Sequence, residues 1–480
     1  MIFNSLDFGI FLPLVFLIYW GLRKARRGQN AFLVLASYIF YGWWDWRFLF
    51  LIAASSLCDY VIGIWLSESQ EARRRKILIL ISLVVNLGLL GFFKYYNFFA
   101  ESFEGAFSLF GASVSLGSLQ WILPVGISFY TFQTLSYSID LYRRKIEPVR
   151  DPIAFFAFVS FFPQLVAGPI ERASNLVPQF LQERRFSSRD ASDGMRQIIW
   201  GLFKKIVIAD NCAILVNQIF ENHTQVGGGV LLLGVVLFSF QIYGDFSGYS
   251  DIAIGTSRLF GFRLKRNFVY PYFSRNIAEF WRRWHISLSS WFRDYVYIPL
   301  GGSRAGHWIN LRNVFVVFVV SGFWHGANWT FVIWGALHAL FFLPSVLSGR
   351  NRVFLEPIEP KALPSFKECF QILVTFTLVS IAWVFFRAEN LPMAFDYLSR
   401  MATTLHHDLP GLAGFLDRSS ETWMFVVIML IVEWVQRHRD HGFDFSGLRF
   451  QWLRWIIYYL VVYVLYYYGG EPQDFIYFQF

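Results

Sequence analysis

The amino-acid sequence predicts an all-α protein that crosses a lipid bilayer many times. Of its 480 residues, 55% are hydrophobic, 20% are aromatic and only 16% are charged, whereas soluble proteins carry about 25% charged residues. So much apolar surface must face lipid as well as a core. The formal charge of +9 sits in short basic clusters between apolar runs, which is typical of cytoplasmic loops. The charge therefore indicates membrane topology and argues against a nucleic-acid partner.

Apolar segments that are candidate membrane helices occur along the whole chain, and a span needs about 20 mostly apolar residues. They are 3–20, 31–41, 48–66, 77–93, 121–141, 153–166, 198–220, 230–243, 313–323, 329–347, 370–386, 422–435 and 452–468. Three of them (31–41, 153–166 and 313–323) are short, so we expect broken, tilted or re-entrant helices there. The prediction is about 11 to 13 spans in a single membrane domain, 1–480.

The basic clusters predict the topology of the N-terminal half. Cluster 23–27 ends the first helix and is placed in the cytoplasm, so the N-terminus is expected outside. Residues 31–66 are expected to form a hairpin that turns near 43–46 and returns to the next basic cluster, 71–76. The loop 221–229 lacks Lys and Arg and fits the outer face.

The stretch 259–312 is rich in Arg, Trp, Tyr and Phe and predicts short amphipathic or re-entrant helices at the cytoplasmic side. If 279–294 forms one helix, i, i+3 and i+4 spacing places Trp281, His285, Ser289 and Phe292 on one face. Arg282 lies close to that face, and Glu279 can pair with Arg283. The face would present a histidine, a hydroxyl and an arginine to a phosphate-bearing ligand. The alternative is a helix that only anchors at lipid headgroups.

His325 is the most informative residue, because it lies between two hydrophobic segments and near Gly322 and Gly326. Ionisable groups at membrane depth are costly and face the protein interior or a wet cavity. A buried imidazole is expected to be neutral and able to accept a proton, and the glycines permit a bend or a close approach by substrate. The alternative is a packed histidine satisfied by the backbone, which is the expectation for His338.

Other motifs indicate less. Asp245 and Asp251, in the segment 243–255, are expected to form a buried polar cluster or to cap helices. Three separated cysteines predict neither a disulfide framework nor a metal site. The sequence contains no nucleophile elbow, no phosphate-binding glycine loop and no HExxH motif. No HxxxxD spacing follows any of the nine histidines, which argues against a glycerolipid-type acyltransferase.

Four segments taken together resemble the membrane-bound O-acyltransferase (MBOAT) family, especially its bacterial alginate O-acetylation branch. They are 168–172 (GPIER), 243–261, 280–302 (FWRRWHISLSSWFRDYVYIPLGG) and 321–329 (SGFWHGANW). The N-terminal MIFNSLDFGIFLP and the segment 383–388 fit as well. The likeness runs from Met1 to about Arg400, and the chain shows no departure at either histidine motif.

The resemblance implies about a dozen helices around a catalytic tunnel with His325 at its base as general base. It places His285 at the second active-site position, where it would position the donor or stabilise the oxyanion. It implies no metal and no bound cofactor, with acetyl-CoA as acyl donor. Further residues expected to bind the donor are Trp281, Arg282, Arg283, Ser289, Arg293, Tyr243, Asp245 and Asn328.

By this resemblance the chain is an O-acetyltransferase of the bacterial inner membrane. It would move an acetyl group from a cytoplasmic thioester across the membrane onto an extracytoplasmic polysaccharide of the alginate, cellulose or peptidoglycan type. A periplasmic SGNH-type acetyltransferase is the expected partner. D-alanyl transfer to teichoic acid from a carrier protein is an alternative, although the PLGG and WRRW forms favour acetyl transfer. A proton-coupled transporter and a secretion scaffold are further alternatives, although transporters often show an inverted repeat that we do not find here.

Overall fold

The computed structural model describes residues 1–304, 306–355, 363–405, 409–445, 447–448 and 450–478. Within these ranges the secondary structure is helical and contains no β-strand, which confirms the all-α prediction. The chain forms two compact units. Unit 1 contains 1–191 and 256–265, and unit 2 contains 192–255 and 266–480. The single domain predicted for 1–480 stays a prediction.

The helices of the N-terminal part follow one another with short connections. They are α1 (Leu6–Gly21), α2 (Arg26–Gly42), α3 (Phe48–Glu68), α4 (Ala72–Leu90), α5 (Tyr96–Leu109), α6 (Ile127–Tyr142), α7 (Pro152–Ser160), α8 (Phe162–Leu165) and α9 (Ala173–Leu181), with a π-helical turn at Gly91–Tyr95. The turn between α2 and α3 lies where the hairpin was predicted. The break between α7 and α8 confirms the broken helix predicted at 153–166.

Arg75 joins three helices of unit 1, although its sequence context suggested an exposed basic cluster. Its guanidinium donates to the carbonyl oxygens of Leu66 and Ser69 near the end of α3. It also donates to those of Leu141 and Tyr142 at the end of α6, at 3.1 and 2.8 Å. Helix ends leave carbonyl groups without intrahelical partners. One buried cation therefore satisfies two helix C-termini at once.

The remaining helices carry the candidate site. They are α10 (Ser188–Leu202), α11 (Asp210–Glu221), α12 (Gly228–Leu259), α13 (Ile277–Arg283), α14 (Ile286–Phe292), α15 (His307–His325), α16 (Trp329–Leu347), α17 (Phe366–Arg387), α18 (Leu391–Thr403), α19 (Leu409–Arg418), α20 (Ser420–Val435) and α21 (Gln451–Tyr467). Residues Phe203–Ala209 and Arg293–Tyr297 are π-helical, and Pro271–Phe273, Arg350–Arg352 and Ile476–Phe478 are 3₁₀-helical.

Five helical segments among the described residues are long and apolar enough to cross a membrane. They are Phe48–Glu68, Ala72–Leu109, Gly228–Leu259, Trp329–Leu347 and Phe366–Arg387. The helix Leu6–Gly21 is apolar but shorter. The protein is therefore multi-pass.

Several predicted helix boundaries differ from the structure. Segments 31–41 and 313–323 belong to the longer, continuous helices α2 and α15. The segment 121–141 becomes helical only from Ile127, because Gly126 has a left-handed φ of 75°. The segment 230–243 is part of the 32-residue helix α12. Asp245 and Asp251, which were predicted as possible helix caps, consequently lie inside α12, so the prediction that they cap helices was wrong.

The glycines around His325 serve the packing of α15 against α16. A Cβ atom on Gly322 would overlap the carbonyl oxygen of Phe331, and one on Gly326 would overlap the Phe331 ring. A Cβ atom on Gly335 would overlap the carbonyl oxygen of Phe318. The expected close approach at these glycines is therefore made by a neighbouring helix, and the expected bend is the end of α15 at His325.

Candidate active site

The chain breaks at His285 between α13 and α14, so the single helix expected over 279–294 was wrong. His285 has φ 43° and ψ 54°, in the left-handed region, which costs an L-residue about 1–2 kcal/mol. The break is held by the segment that precedes α13. The backbone N–H of Val269 donates to Arg283 O at 3.0 Å, and that of Ile286 donates to Asn267 O at 2.9 Å. The Trp281–His285–Ser289 face is thus divided between two helices.

Asn267, which the sequence did not single out, fixes the ring of His285. Its Oδ1 accepts from the backbone N–H of Ser287 at 3.2 Å and from Ser287 Oγ at 2.9 Å. The same oxygen lies 3.1 Å from His285 Nδ1. Because a backbone N–H only donates, Oδ1 is an acceptor, so His285 Nδ1 must carry the proton. The neutral ring then has its lone pair on Nε2.

Burial keeps His285 in this neutral form. The side chain is 0% exposed, and burial lowers the pKa of His285 from 6.5 to about 3. A low-dielectric site disfavours the imidazolium because it removes water from the charge. Near neutral pH the ring is therefore a hydrogen-bond acceptor at Nε2 and a donor at Nδ1.

His325, the last residue of α15, is 2% exposed and lies among aromatic rings. Its ring centroid is 5.0 Å from those of Trp324 and Trp334. It is 5.4 Å from that of Phe386 and 5.5 Å from that of Tyr477. The ring of His285 lies 6.4 Å away. The structure therefore brings together the two histidines that the sequence singled out, forty residues apart.

Tyr477, in the C-terminal segment, packs against His325, a contact that the sequence did not predict. The backbone N–H of Ile476 donates to Asp245 Oδ2 at 2.7 Å, and Lys205 Nζ donates to Gln473 O at 3.0 Å. Lys205 and Asp245 themselves form an ion pair of 2.8 Å. This buried pair anchors the segment. Asp245 thus belongs to the buried polar cluster that was one of its two expected roles.

Two adjacent lysines in a predicted apolar span were not singled out by the sequence. Lys204 and Lys205 lie in the π-helical turn Phe203–Ala209 and are both 3% exposed. Lys204 Nζ lies 2.6 Å from Asp251. A π-helical turn offsets side chains from the regular helical register and is frequent at functional sites. Here it lets neighbouring lysines reach different aspartates of α12.

A cavity of about 560 Å³ is lined by residues of the helices next to the two histidines, but not by the histidines themselves. Ser321 borders it one helical turn, about 6 Å, before His325, and Ile286 borders it directly after His285. Polar residues along its wall are Arg282, Ser289, Ser290, Arg293, Tyr297, Ser303, Asn310, Ser321, Asn351 and Arg352. Apolar residues along its wall include Trp281, Val314, Val317, Phe318 and Phe342. The cavity combines arginines with an apolar wall that ends one turn from His325.

A model of the membrane-bound O-acyltransferase family, abbreviated MBOAT, matches residues 47–385. The chain belongs to this family. It is therefore a multi-pass membrane enzyme of the O-acyltransferase class, and the resemblance seen in its motifs is confirmed.

Several MBOAT relatives are similar over most of their length. The chain is 40% identical to a probable alginate O-acetylase AlgI of Pseudomonas aeruginosa, over 84% of this chain and 75% of the relative. It is 34% identical to a peptidoglycan O-acetyltransferase of Helicobacter pylori, over 100% of this chain and 98% of the relative. A teichoic acid D-alanyltransferase of Bacillus subtilis is 30% identical over 45% of this chain and 57% of the relative.

Within the MBOAT chain, four of the residues expected to bind the donor line the cavity. They are Trp281, Arg282, Ser289 and Arg293. Arg283 does not, because its Nη2 lies 2.6 Å from Glu279 Oε1, which confirms the predicted i, i+4 pair. Glu279 is 1% exposed and also binds Arg275 at 2.9 Å. Arg283 is therefore part of a buried ion-pair network.

Three further residues expected at the donor site have other partners. Asn328 caps α16 by accepting from the Thr330 N–H at 3.0 Å, and it donates to Glu389 O at 2.9 Å. Tyr243 OH donates to Glu433 at 2.8 Å, and both residues are buried. The cavity is lined by none of the three expected donor-site residues Asn328, Tyr243 and Asp245. The structure assigns them contacts that stabilise the fold.

His338 is packed, as expected. It is 0% exposed, and its ring lies 4.9 Å from each of Trp281 and Trp334. Trp281 Nε1 donates to His338 Nδ1 at 3.3 Å. Trp281, which lines the cavity, thus rests on His338. The ring of Trp334 in turn separates His338 from His325.

Proposed function

We propose that this enzyme transfers an acetyl group from cytoplasmic acetyl-CoA for O-acetylation of an extracytoplasmic polysaccharide. The observation that carries the proposal is the pair of buried histidines, 6.4 Å apart, next to a cavity with three arginines in its wall. Relatives named for O-acetylation of alginate and of peptidoglycan support the acetyl group and the polymer class.

The cavity suits a CoA-type donor by its chemistry. Guanidinium groups bind phosphate oxygens bidentately, while the apolar wall formed by Val314, Val317 and Phe318 suits an uncharged thioester arm. A volume of about 560 Å³ lies in the range of small-molecule sites. The thioester end would reach the turn of α15 that carries His325.

His325 acts as general base in this proposal. Its imidazole takes the proton of the acceptor hydroxyl as the oxygen attacks the thioester carbonyl. The tetrahedral intermediate collapses, the C–S bond breaks, and the proton passes from the imidazolium to the leaving thiolate. His285 positions the donor or stabilises the oxyanion. General acid–base catalysis of this kind is typically worth about 10²–10⁴-fold.

The acceptor reaches His325 from the opposite side of the membrane in this proposal. It is a sugar hydroxyl or a serine of a periplasmic SGNH-type partner. The protein lies in the bacterial inner membrane with its N-terminus in the periplasm, in keeping with the basic clusters at 23–27, 71–76 and 143–145.

The test is transfer of label from acetyl-CoA to a cell-envelope acceptor fraction by purified protein in liposomes. We expect wild type to transfer label, His325→Ala to lose at least about 100-fold, and His285→Ala to be reduced. Folding of each variant is checked by its elution profile in detergent. The control is His338→Gln, which keeps a hydrogen-bonding side chain in a packed position.

Two outcomes contradict the proposal. If a folded His325→Ala protein transfers label at the wild-type rate, His325 is not the general base. Transfer by wild type from a D-alanyl carrier protein, but not from acetyl-CoA, assigns the chain to the activity for which its Bacillus subtilis relative is named.

A further inference from the structure

The segment 350–355, which we call the strap, follows α16 and borders the donor cavity. Arg282 holds it through three backbone hydrogen bonds. Its Nη1 donates to Asn351 O at 2.8 Å, and its Nη2 donates to Val353 O and Phe354 O at 3.0 and 3.1 Å. Because these N–H groups already donate to carbonyl oxygens, few donors of the Arg282 guanidinium remain to bind a phosphate. Arg282 is thus a support for the strap.

The strap needs this support because part of its backbone is strained. Phe354 has a φ of 62°, which is unfavourable for a residue with a Cβ atom. The Arg275 guanidinium stacks on the Phe354 ring at 4.0 Å, and Arg275 is itself fixed by Glu279. Arg275, just before α13, and Arg282, within α13, therefore hold the strap in one conformation.

That conformation places Arg352 in the cavity wall. Arg293, which also lines the cavity, pairs with Asp294 at 2.8 Å. Arg352 is exposed, and among the described residues no carboxylate lies within ion-pair distance of it. Within the part of the chain that the structure describes, Arg352 is consequently the one of the three cavity-lining arginines whose guanidinium has neither a carboxylate nor a carbonyl partner.

We propose that Arg352 binds phosphate groups of the CoA donor and that Arg282 is a positioning residue that keeps the strap, and with it Arg352, against the cavity. This inference rests on the proposed function for the identity of the donor. It moves phosphate binding from α13, where the sequence pattern suggested it, to a segment after α16. It also separates recognition of the phosphates from binding of the thioester arm.

The test compares equilibrium binding of CoA and of pantetheine, which lacks the nucleotide phosphates, to purified protein in detergent. We expect Arg352→Gln to weaken CoA binding by about tenfold or more and to leave pantetheine binding unchanged. The matched control is Arg350→Gln, in the same 3₁₀ turn but outside the cavity wall, which should bind CoA like wild type.

Arg282→Lys tests the positioning role, because a lysine keeps the charge but lacks the planar fork. It should weaken CoA binding and also speed hydrogen exchange in the strap, whereas Arg352→Gln should leave that exchange unchanged. Weaker CoA binding by Arg282→Lys without faster exchange would overturn the positioning role.

The phosphate assignment is overturned if Arg352→Gln binds CoA like wild type, or if it loses CoA and pantetheine equally. Its failure is distinguishable from failure of the proposed function. If Arg352→Gln selectively weakens CoA binding but wild type transfers nothing from acetyl-CoA, the binding site stands and the proposed reaction falls.

Discussion

Asn267 shows how one amide sets the tautomer of a buried histidine, His285. Its Oδ1 accepts from His285 and from two groups of Ser287, which selects a tautomer and holds the left-handed turn. A carboxylate in its place would instead favour the imidazolium, because an opposite charge stabilises the protonated ring.

We therefore predict that Asn267→Asp raises the pKa of His285 from about 3. Wild-type activity should show no acidic limb from His285 above about pH 5, since the ring is already neutral there. The variant should lose activity as the pH falls through its raised pKa. The pH–rate profile from pH 5 to 9 measures this, with Asn267→Gln as the uncharged control. An unchanged profile in a folded Asn267→Asp protein would contradict the tautomer assignment.

Tyr477 gives a second prediction at this scale. Among the described residues whose rings pack on His325, it is the one that carries a hydroxyl. Tyr477→Phe keeps the packing and removes the only group of this ring that can exchange a proton. We expect activity to fall by about tenfold or more, while the midpoint temperature of thermal unfolding stays unchanged. Phe386→Leu is the control for packing alone, and a wild-type rate for Tyr477→Phe would restrict Tyr477 to a packing role.

At the scale of elements, the contact between α15 and α16 places His325. Gly322 and Gly335 let the two backbones approach, so we predict that Gly322→Ala lowers stability by about 1–3 kcal/mol. The thermal midpoint in detergent reports this loss. Gly88→Ala on α4 is the matched control, because a Cβ atom there meets nothing within 4 Å, and it should be neutral or slightly stabilising. Equal midpoints for the two variants would contradict the close packing.

Local pattern predicted much of this architecture. The α2–α3 hairpin and the break at 153–166 follow from apolar length and turn composition. The break at His285 does not, because its left-handed backbone depends on Asn267, which is eighteen residues earlier in the sequence. The roles of Arg282 and Arg283 likewise depend on partners outside α13 or on burial, neither of which i, i+4 spacing reveals. His325 was predictable because an imidazole in apolar sequence is costly. His285 was predictable from its place beside Trp281 and Ser289 on an expected helix face and from the family resemblance, whereas Tyr477 lies in a segment without either signal.

At the scale of the whole molecule, the connection between α16 and α17 can show on which side of the membrane the cavity opens. Both helices are candidate spans, so the ends that face their connection share one membrane side: the strap after α16, and Cys369 near the start of α17. Cys369 is exposed while Cys212 is buried. If the donor is cytoplasmic, a membrane-impermeant maleimide should label Cys369 in inside-out vesicles and not in right-side-out ones. Cys369→Ser is the control, and the reverse labelling would place the cavity outside.

Arg75 also has a consequence for the order of biosynthesis. Its partners on α3 precede it, but Leu141 emerges from the ribosome 66 residues later, about 3 to 13 s at usual elongation rates. During that interval the guanidinium has only half of its final acceptors. The hairpin of α3 and α4 is therefore synthesised before all four carbonyl acceptors of Arg75 exist, and α6 supplies the last two. A nascent chain truncated before α6 should consequently be the form that membrane quality-control proteases recognise.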